Sequence, residues 1–293
     1  MFTGSIVALV TPFKDGRIDE AKLRELVRWH ALQGTAALVP VGTTGESPTL
    51  SEDEAKRVIE ICVAEARLGG TLKVIAGTGS YSTSKSVEST RWAKAQGADA
   101  ALIVCPYYNK PSQEGIYQHY KAVAEDGGLP VVVYTIPGRS VVNIEAQTIA
   151  RLAEIKNIVA VKEASGNLIQ MSEIVSLVGD RLVLLSGDDP LTLPMFAIGG
   201  KGVISVTANV APRRMADLCE AGLKGDFALA KKIHYALFPL FKALFAETNP
   251  IGIKAAMELA GLCSGELRLP LTHMTEGNVL ALEKAMRSCG VLA

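Results

Sequence analysis

Apolar residues in this chain fall in short unbroken runs, and stretches with helical apolar spacing separate one run from the next. The runs are SIVALV (5–10), AALVPV (36–41), LKVIA (72–76), AALIV (100–104), PVVVY (130–134), IVAVK (158–162), LVLLS (182–186) and GVISV (202–206). Continuous β-branched character, without polar alternation, predicts strands covered on both faces, as in a parallel sheet. The intervening stretches predict helices over roughly 19–33, 51–68, 83–97, 112–125, 145–154, 168–178, 190–198 and 211–222. The second opens on Ser51 and Glu54 at capping-box spacing. Eight strand-then-helix units in series predict an α/β fold of the (β/α)8 TIM barrel type over residues 1–224. A doubly wound sheet, which usually has fewer strands, ranks second. Further helical patterns near 226–246, 249–262 and 276–289 predict a C-terminal helical extension over residues 225–293.

Composition narrows the function. The 293 residues are 48% hydrophobic but only 5% aromatic, which suits an alanine- and valine-rich α/β protein. Thirty basic residues balance thirty acidic ones without a block of either sign, so no nucleic-acid partner is expected. No apolar run approaches the ~20 residues of a membrane helix, and no membrane partner is expected. Residues 1–13 lack the basic and apolar segments of a signal peptide. The five cysteines (Cys62, Cys105, Cys219, Cys263, Cys289) show no CxxC or Cys/His pairing. Neither a disulfide framework nor a metal site is predicted, and a cytoplasmic location fits.

In a barrel of this kind, chemistry gathers where strands end and βα loops begin. Those places hold VGTTGES (41–47), GTGSYS (77–82), CPYYNKP (105–111), YTIPGRS (134–140), EASGN (163–167), SGDD (186–189) and TAN (207–209). Lys162 ends the sixth run directly after Ile158-Val159-Ala160-Val161. Strand alternation places Ala160 and Lys162 on one face and Val159, Val161 and Glu163 on the other. With Lys162 inside, Glu163 points to the helical layer and is not its counter-ion. A buried lysine without an ionic partner tends to shed its proton, and the resulting amine attacks carbonyls to form imines. The bland reading is a stem packed at the rim with its head in water.

The neighbouring residues carry similar pairs of readings. Tyr134 plugs the barrel mouth, or its hydroxyl shuttles protons during imine formation. Thr43 and Thr44, between Gly42 and Gly45, form an ordinary turn or a cradle for a carboxylate. Arg139 follows a Pro-Gly turn, either solvated or clamping a carboxylate. Tyr107 and Tyr108 pack a loop between prolines, or serve the site. Gly77, Gly79 and Ser82 approach a dinucleotide fingerprint but lack its third glycine, so no nucleotide is expected. His30, His119 and His234 pair with no serine or cysteine motif and read as structural.

Together these motifs resemble the pyruvate-dependent class I aldolase (N-acetylneuraminate lyase) family of (β/α)8 enzymes. The resemblance runs from FTGSIVALVTPF to LRLPLT and includes GTTGES, AGTGS, PYYNKPSQEGIYQHY, YTIPGRS, VKEASGN, LLSGDD and GVISVTANV. It implies a pyruvate imine on Lys162 and a proton relay of Thr43, Tyr134 and Tyr108, the last reaching in from a neighbouring subunit. It also implies Thr44, Gly187 and Ile204 around the pyruvate, and Arg139 on the carboxylate of a second substrate, L-aspartate 4-semialdehyde. The implied reaction is a Schiff-base condensation giving 4-hydroxy-tetrahydrodipicolinate, without cofactor, in a homotetramer built as a dimer of dimers. A sister aldolase cleaving N-acetylneuraminate or a keto-deoxy sugar acid is the nearest alternative, and a non-catalytic keto-acid sensor a more distant one. Thr135 departs from the asparagine common at its place. In lysine-sensitive members a feedback pocket carries two histidines, an asparagine and a glutamate. The matching positions here hold Glu52, Ala55, Tyr81 and Lys85, with only Ser47 and Tyr107 retained, so weak inhibition by L-lysine is expected.

Overall fold

The computed structural model describes residues 2–68, 70 and 72–292. Eight parallel strands close into a barrel: β1 (Gly4–Ala8), β2 (Ala37–Val39), β3 (Lys73–Gly77), β4 (Ala100–Val104), β5 (Val131–Thr135), β6 (Ile158–Glu163), β7 (Val183–Ser186) and β8 (Gly202–Ser205). Each pairs with its sequence neighbour, and β8 closes the ring on β1 from Gly4 opposite Gly202 to Val7 opposite Ser205. The helices that follow the strands are α1 (Glu20–Leu32), α2 (Glu52–Leu68), α3 (Thr83–Gln96), α4 (Gln113–Gly127), α5 (Ala146–Leu152), α6 (Leu168–Val178), α7 (Thr192–Ala197) and α8 (Pro212–Leu223). The extension supplies α9 (Phe227–Leu244), α10 (Ile251–Leu259) and α11 (Glu276–Ser288). The barrel and the C-terminal helices read from hydrophobic patterning are both present.

Two cores follow from strand alternation. Inside the barrel pack Ile6, Val39, Ile75, Leu102, Val132, Ala160, Leu185 and Ile204. Outside it, Val7, Leu38, Val74, Ile103, Val133 and Val161 meet the helices. Helix α1 shows the matching stripe, burying Leu23, Leu26, Val27 and His30 at 3.6-residue spacing behind an Asp19 N-cap. The capping box at α2 forms in both directions, Ser51 N donating to Glu54 Oε2 at 2.9 Å and Glu54 N to Ser51 Oγ at 3.2 Å.

Several details differ from the sequence expectation, each for a physical reason. The first strand was expected to reach residue 10, yet it leaves the ladder after Ala8. There Val10 N donates to Asn209 Oδ1, and Asn209 Nδ2 donates to Ala8 O, so one side-chain amide replaces the strand partner. The second strand stops at Val39, because Val41 adopts a left-handed φ of 58°, a strained conformation for a β-branched residue. A small ribbon pairing Phe13–Lys14 with Arg17–Ile18 was not expected at all. Between β5 and β6 the register shifts at Val131/Val132, so that Val159 is skipped and Val132 lies opposite Ala160. That bulge brings Tyr134 opposite Lys162 and Thr135 opposite Glu163.

The extension is tied to the loop after β2. Glu46, at a left-handed φ of 55°, lies 3.1 Å from Lys254 Nζ on α10, and both side chains are fully buried. The contact is ionic, with an angle too poor for a hydrogen bond. Lys254 also donates to Glu266 O at 2.8 Å and stands 4.4 Å over the Phe13 ring. Its burial lowers the ammonium pKa, opposed by Glu46. Arg268 forks onto both oxygens of Glu54 at 2.6 and 2.7 Å, which holds that carboxyl down at about 2.

Candidate active site

Lys162 and Tyr134 leave adjacent strands on the same inward face, and the Lys162 ammonium lies 4.1 Å from the Tyr134 ring centroid. Both are nearly buried, at 6% and 5% exposure. Among the described residues, Lys162 Nζ has no hydrogen-bond or salt-bridge partner. Glu163 turns outward as alternation requires. Its carboxylate accepts from Gln170 Nε2 on α6 at 2.9 Å and from Ser165 N at 3.2 Å, and burial raises its pKa. Thr135 also faces outward, where its hydroxyl lies 3.4 Å from Asn143 Oδ1. The departure at this position therefore stays behind the barrel wall.

Gly187 follows β7 beside the lysine. A Cβ there would come 2.5 Å from the Ala164 methyl and 3.2 Å from Lys162 Cε, so only glycine leaves the amine its channel. Its N–H donates to Glu163 O at 2.7 Å. Ile204 is fully buried on the inner face of β8.

Thr43 and Thr44 sit in a turn closed by Gly45 N and Ser47 N, both donating to Gly42 O. The strained Val41 precedes it, and its carbonyl packs where a Gly77 side chain would stand, 2.1 Å from that Cβ position. Thr44 is 3% exposed, and its Oγ1 accepts from Asn249 Nδ2 at 3.0 Å. Arg139 lies in a one-turn helix, Pro137–Ser140, in place of the expected turn. Its guanidinium donates to Asn249 O at 2.9 Å and Thr248 Oγ1 at 3.2 Å.

Tyr108 does not join this cluster within one chain. It is 90% exposed on a backbone with φ of 70°, whereas Tyr107 packs edge-on against Tyr81 at 5.3 Å. The histidines lie elsewhere: His30 bonds Thr35 at 3.0 Å, His119 bonds Thr83 at 2.9 Å, and burial presses them to about 3 and about 4.

Two residues escaped the sequence reading. Asp188, in the SGDD motif, feels Lys162 electrostatically; burial raises its carboxyl pKa while the lysine pulls it back. Asn249 comes from the extension, and no local spacing links it to Thr44. Among the described residues, no cluster of His, Cys, Asp and Glu is arranged to hold a metal, and no helix is long and apolar enough to cross a membrane.

Lys162 and Tyr134 thus stand together on the inner face of a closed barrel, and the loop after β2 carries the paired threonines. The model of the dihydrodipicolinate synthetase family matches residues 1–289. The chain belongs to that family. A 4-hydroxy-tetrahydrodipicolinate synthase of Geotalea uraniireducens is 52% identical over 292 residues, covering 100% of both chains. Among solved members of the dihydrodipicolinate synthetase family, the Aquifex aeolicus dihydrodipicolinate synthase is 50% identical, with a TM-score of 0.96 over 99% of each chain. The chloride-inhibited enzyme of Acinetobacter baumannii, complexed with pyruvate, is 43% identical, with a TM-score of 0.97 over 100% of each.

Proposed function

We propose that this chain is a lyase, a 4-hydroxy-tetrahydrodipicolinate synthase, condensing pyruvate with L-aspartate 4-semialdehyde in diaminopimelate and lysine biosynthesis. The observation that carries the reading is the buried, unpaired Lys162 against Tyr134 in a barrel of this family. The amine of Lys162 adds to the pyruvate ketone, and loss of water gives the imine. Removal of a methyl proton gives an enamine, whose carbon attacks the semialdehyde aldehyde. The semialdehyde's own amine then displaces Lys162, closing the ring and freeing the lysine. The imine serves as electron sink, so the scheme uses no cofactor.

Thr43, Tyr134 and Tyr108 carry protons in this scheme. Thr44, Gly187 and Ile204 surround the pyruvate, and Arg139 receives the carboxylate of the semialdehyde. The exposed Tyr108 fits a residue that completes a neighbouring subunit, and we propose that it does so within a homotetramer built as a dimer of dimers. The five cysteines are free and buried, in keeping with a reducing cytoplasm. The sister-aldolase alternative has no observation in its favour. The test is an assay of purified protein with pyruvate and a panel of aldehydes. Turnover with aspartate semialdehyde is expected to exceed that with sugar-derived aldehydes, and the reverse preference refutes the reading.

Feedback control is expected to be weak. A relative from Cyanidioschyzon merolae, 41% identical, has been solved with lysine bound. Here a hollow of about 400 Å³ beside the site is lined by Ser47, Glu52, Ala55, Lys56, Tyr81, Lys85, Glu88 and Tyr107. Glu52 is already paired with Lys56 at 2.5 Å, and Lys85 adds a second cation to its surroundings. An incoming ammonium therefore meets Lys56 and Lys85, whose charges offset the Glu52 and Glu88 carboxylates, so the hollow offers it no net negative charge. Titration of L-lysine at saturating pyruvate is expected to give half-inhibition well above one millimolar, an affinity weaker than about 4 kcal/mol. Half-inhibition below that concentration refutes the argument.

A further inference from the structure

Asn249 joins the two substrate-facing parts of the site through separate groups. Its side-chain Nδ2 donates to Thr44 Oγ1 at 3.0 Å, while its backbone carbonyl accepts from Arg139 at 2.9 Å. The residue is 6% exposed, and its Oδ1 is buried without a hydrogen-bond partner among the described residues. As a device for stability alone this is poor, because an unmatched buried acceptor carries its full desolvation cost. The polarity of the Thr44 contact points to another purpose. An amide nitrogen can only donate, so the Thr44 oxygen must accept, and the single hydroxyl proton stays free.

We propose that Asn249 is a positioning residue for the keto acid: it fixes the Thr44 hydroxyl as an acceptor from the extension, so that its proton is presented to the pyruvate carboxylate. The inference rests on the functional reading above. It also separates the two substrates, since the Arg139 contact uses the Asn249 backbone, which survives any side-chain change.

Asn249→Asp, near-isosteric, tests it by steady-state kinetics. A carboxylate can only accept, so Thr44 must turn its proton away from the substrate. Loss of that charge-assisted hydrogen bond is expected to raise the pyruvate KM roughly 10- to 100-fold. At saturating pyruvate, kcat and the semialdehyde KM are expected to change far less. If Thr44 instead donated to this side chain, aspartate would be as good an acceptor, and an unchanged pyruvate KM overturns the proposal.

A second cycle guards against a general disturbance. Thr44→Val alone is expected to raise the pyruvate KM, and adding Asn249→Ala or Asn249→Asp to it to raise it less than about twofold further, because coupled residues are not additive. Fully additive effects overturn the proposal in favour of a purely structural or purely charge-based role. Thermal melts of each variant separate unfolding from a change in KM. Imine trapping by the unmodified chain decides the underlying reading: no trapping overturns both, whereas trapping with unaltered variants overturns the positioning role alone.

Discussion

Borohydride added in the presence of pyruvate is expected to leave a stable mass on the peptide carrying Lys162, because reduction converts a reversible imine into a secondary amine. The geometry selects this lysine. It is inside the barrel, its nitrogen makes no hydrogen bond or salt bridge among the described residues, and Gly187 keeps the space beside its stem open. Lys162→Ala is expected to abolish the adduct and to remove most activity, roughly 10²-fold or more for loss of a covalent nucleophile. Tyr134→Phe is expected to keep the adduct but to slow turnover roughly 10- to 10⁴-fold, the range for lost proton-transfer help. Peptide mapping by mass spectrometry reads both results. An adduct on Lys110 or any other lysine in place of Lys162 sinks the assignment.

Breaking the buried ion pair is expected to have the largest effect on stability. Lys254→Met leaves the Glu46 carboxylate without its cation in a fully buried place. Removing one partner of such a pair costs about 3–5 kcal/mol, because the remaining charge is uncompensated. For a chain of this size that corresponds to a fall on the order of 10 °C in melting temperature. The double variant Glu46→Leu/Lys254→Met is expected to melt well above the sum of the two single changes, since no lone charge is left behind. Glu46 stands two residues after Thr44, so turnover is expected to fall with stability in the single variants. Differential scanning fluorimetry decides the matter. A Lys254→Met protein melting within a degree or two of the unmodified chain would mean that the pair contributes little.

The barrel was legible because its signal is repetitive. Eight apolar runs with helical stretches between them leave few topologies, and the runs centre on the observed strands. The inward placement of Lys162 followed from period-two alternation counted from Ala160, and the structure agrees. The same counting could not reveal the skipped Val159, because a bulge is settled by pairing with the neighbouring strand. The strained φ of Val41 was likewise invisible: local preference opposes it, and it persists because its surroundings leave no alternative. Arg139 was read as following a turn, since Pro-Gly suggests one, whereas Ser140 N returns to Ile136 O and winds a helical turn. Asn249 was unreadable for a different reason. Its partner lies 205 positions away, and nothing in the composition of its own segment announces the contact.

That separation has a consequence for when the chain becomes competent. Thr44 is held by a residue 205 positions later, and Glu46 accepts from Arg268 N, 222 positions later. At a synthesis rate of about 5–20 residues per second, roughly 10 to 40 seconds pass between the emergence of that loop and of the groups that fasten it. During that interval the nascent polypeptide comes to carry Lys162, the proposed nucleophile, yet it lacks the contacts that fasten the Thr44 turn. The loop is fastened only once those later residues have been made, and a product interrupted before them would hold Lys162 beside an unfastened turn.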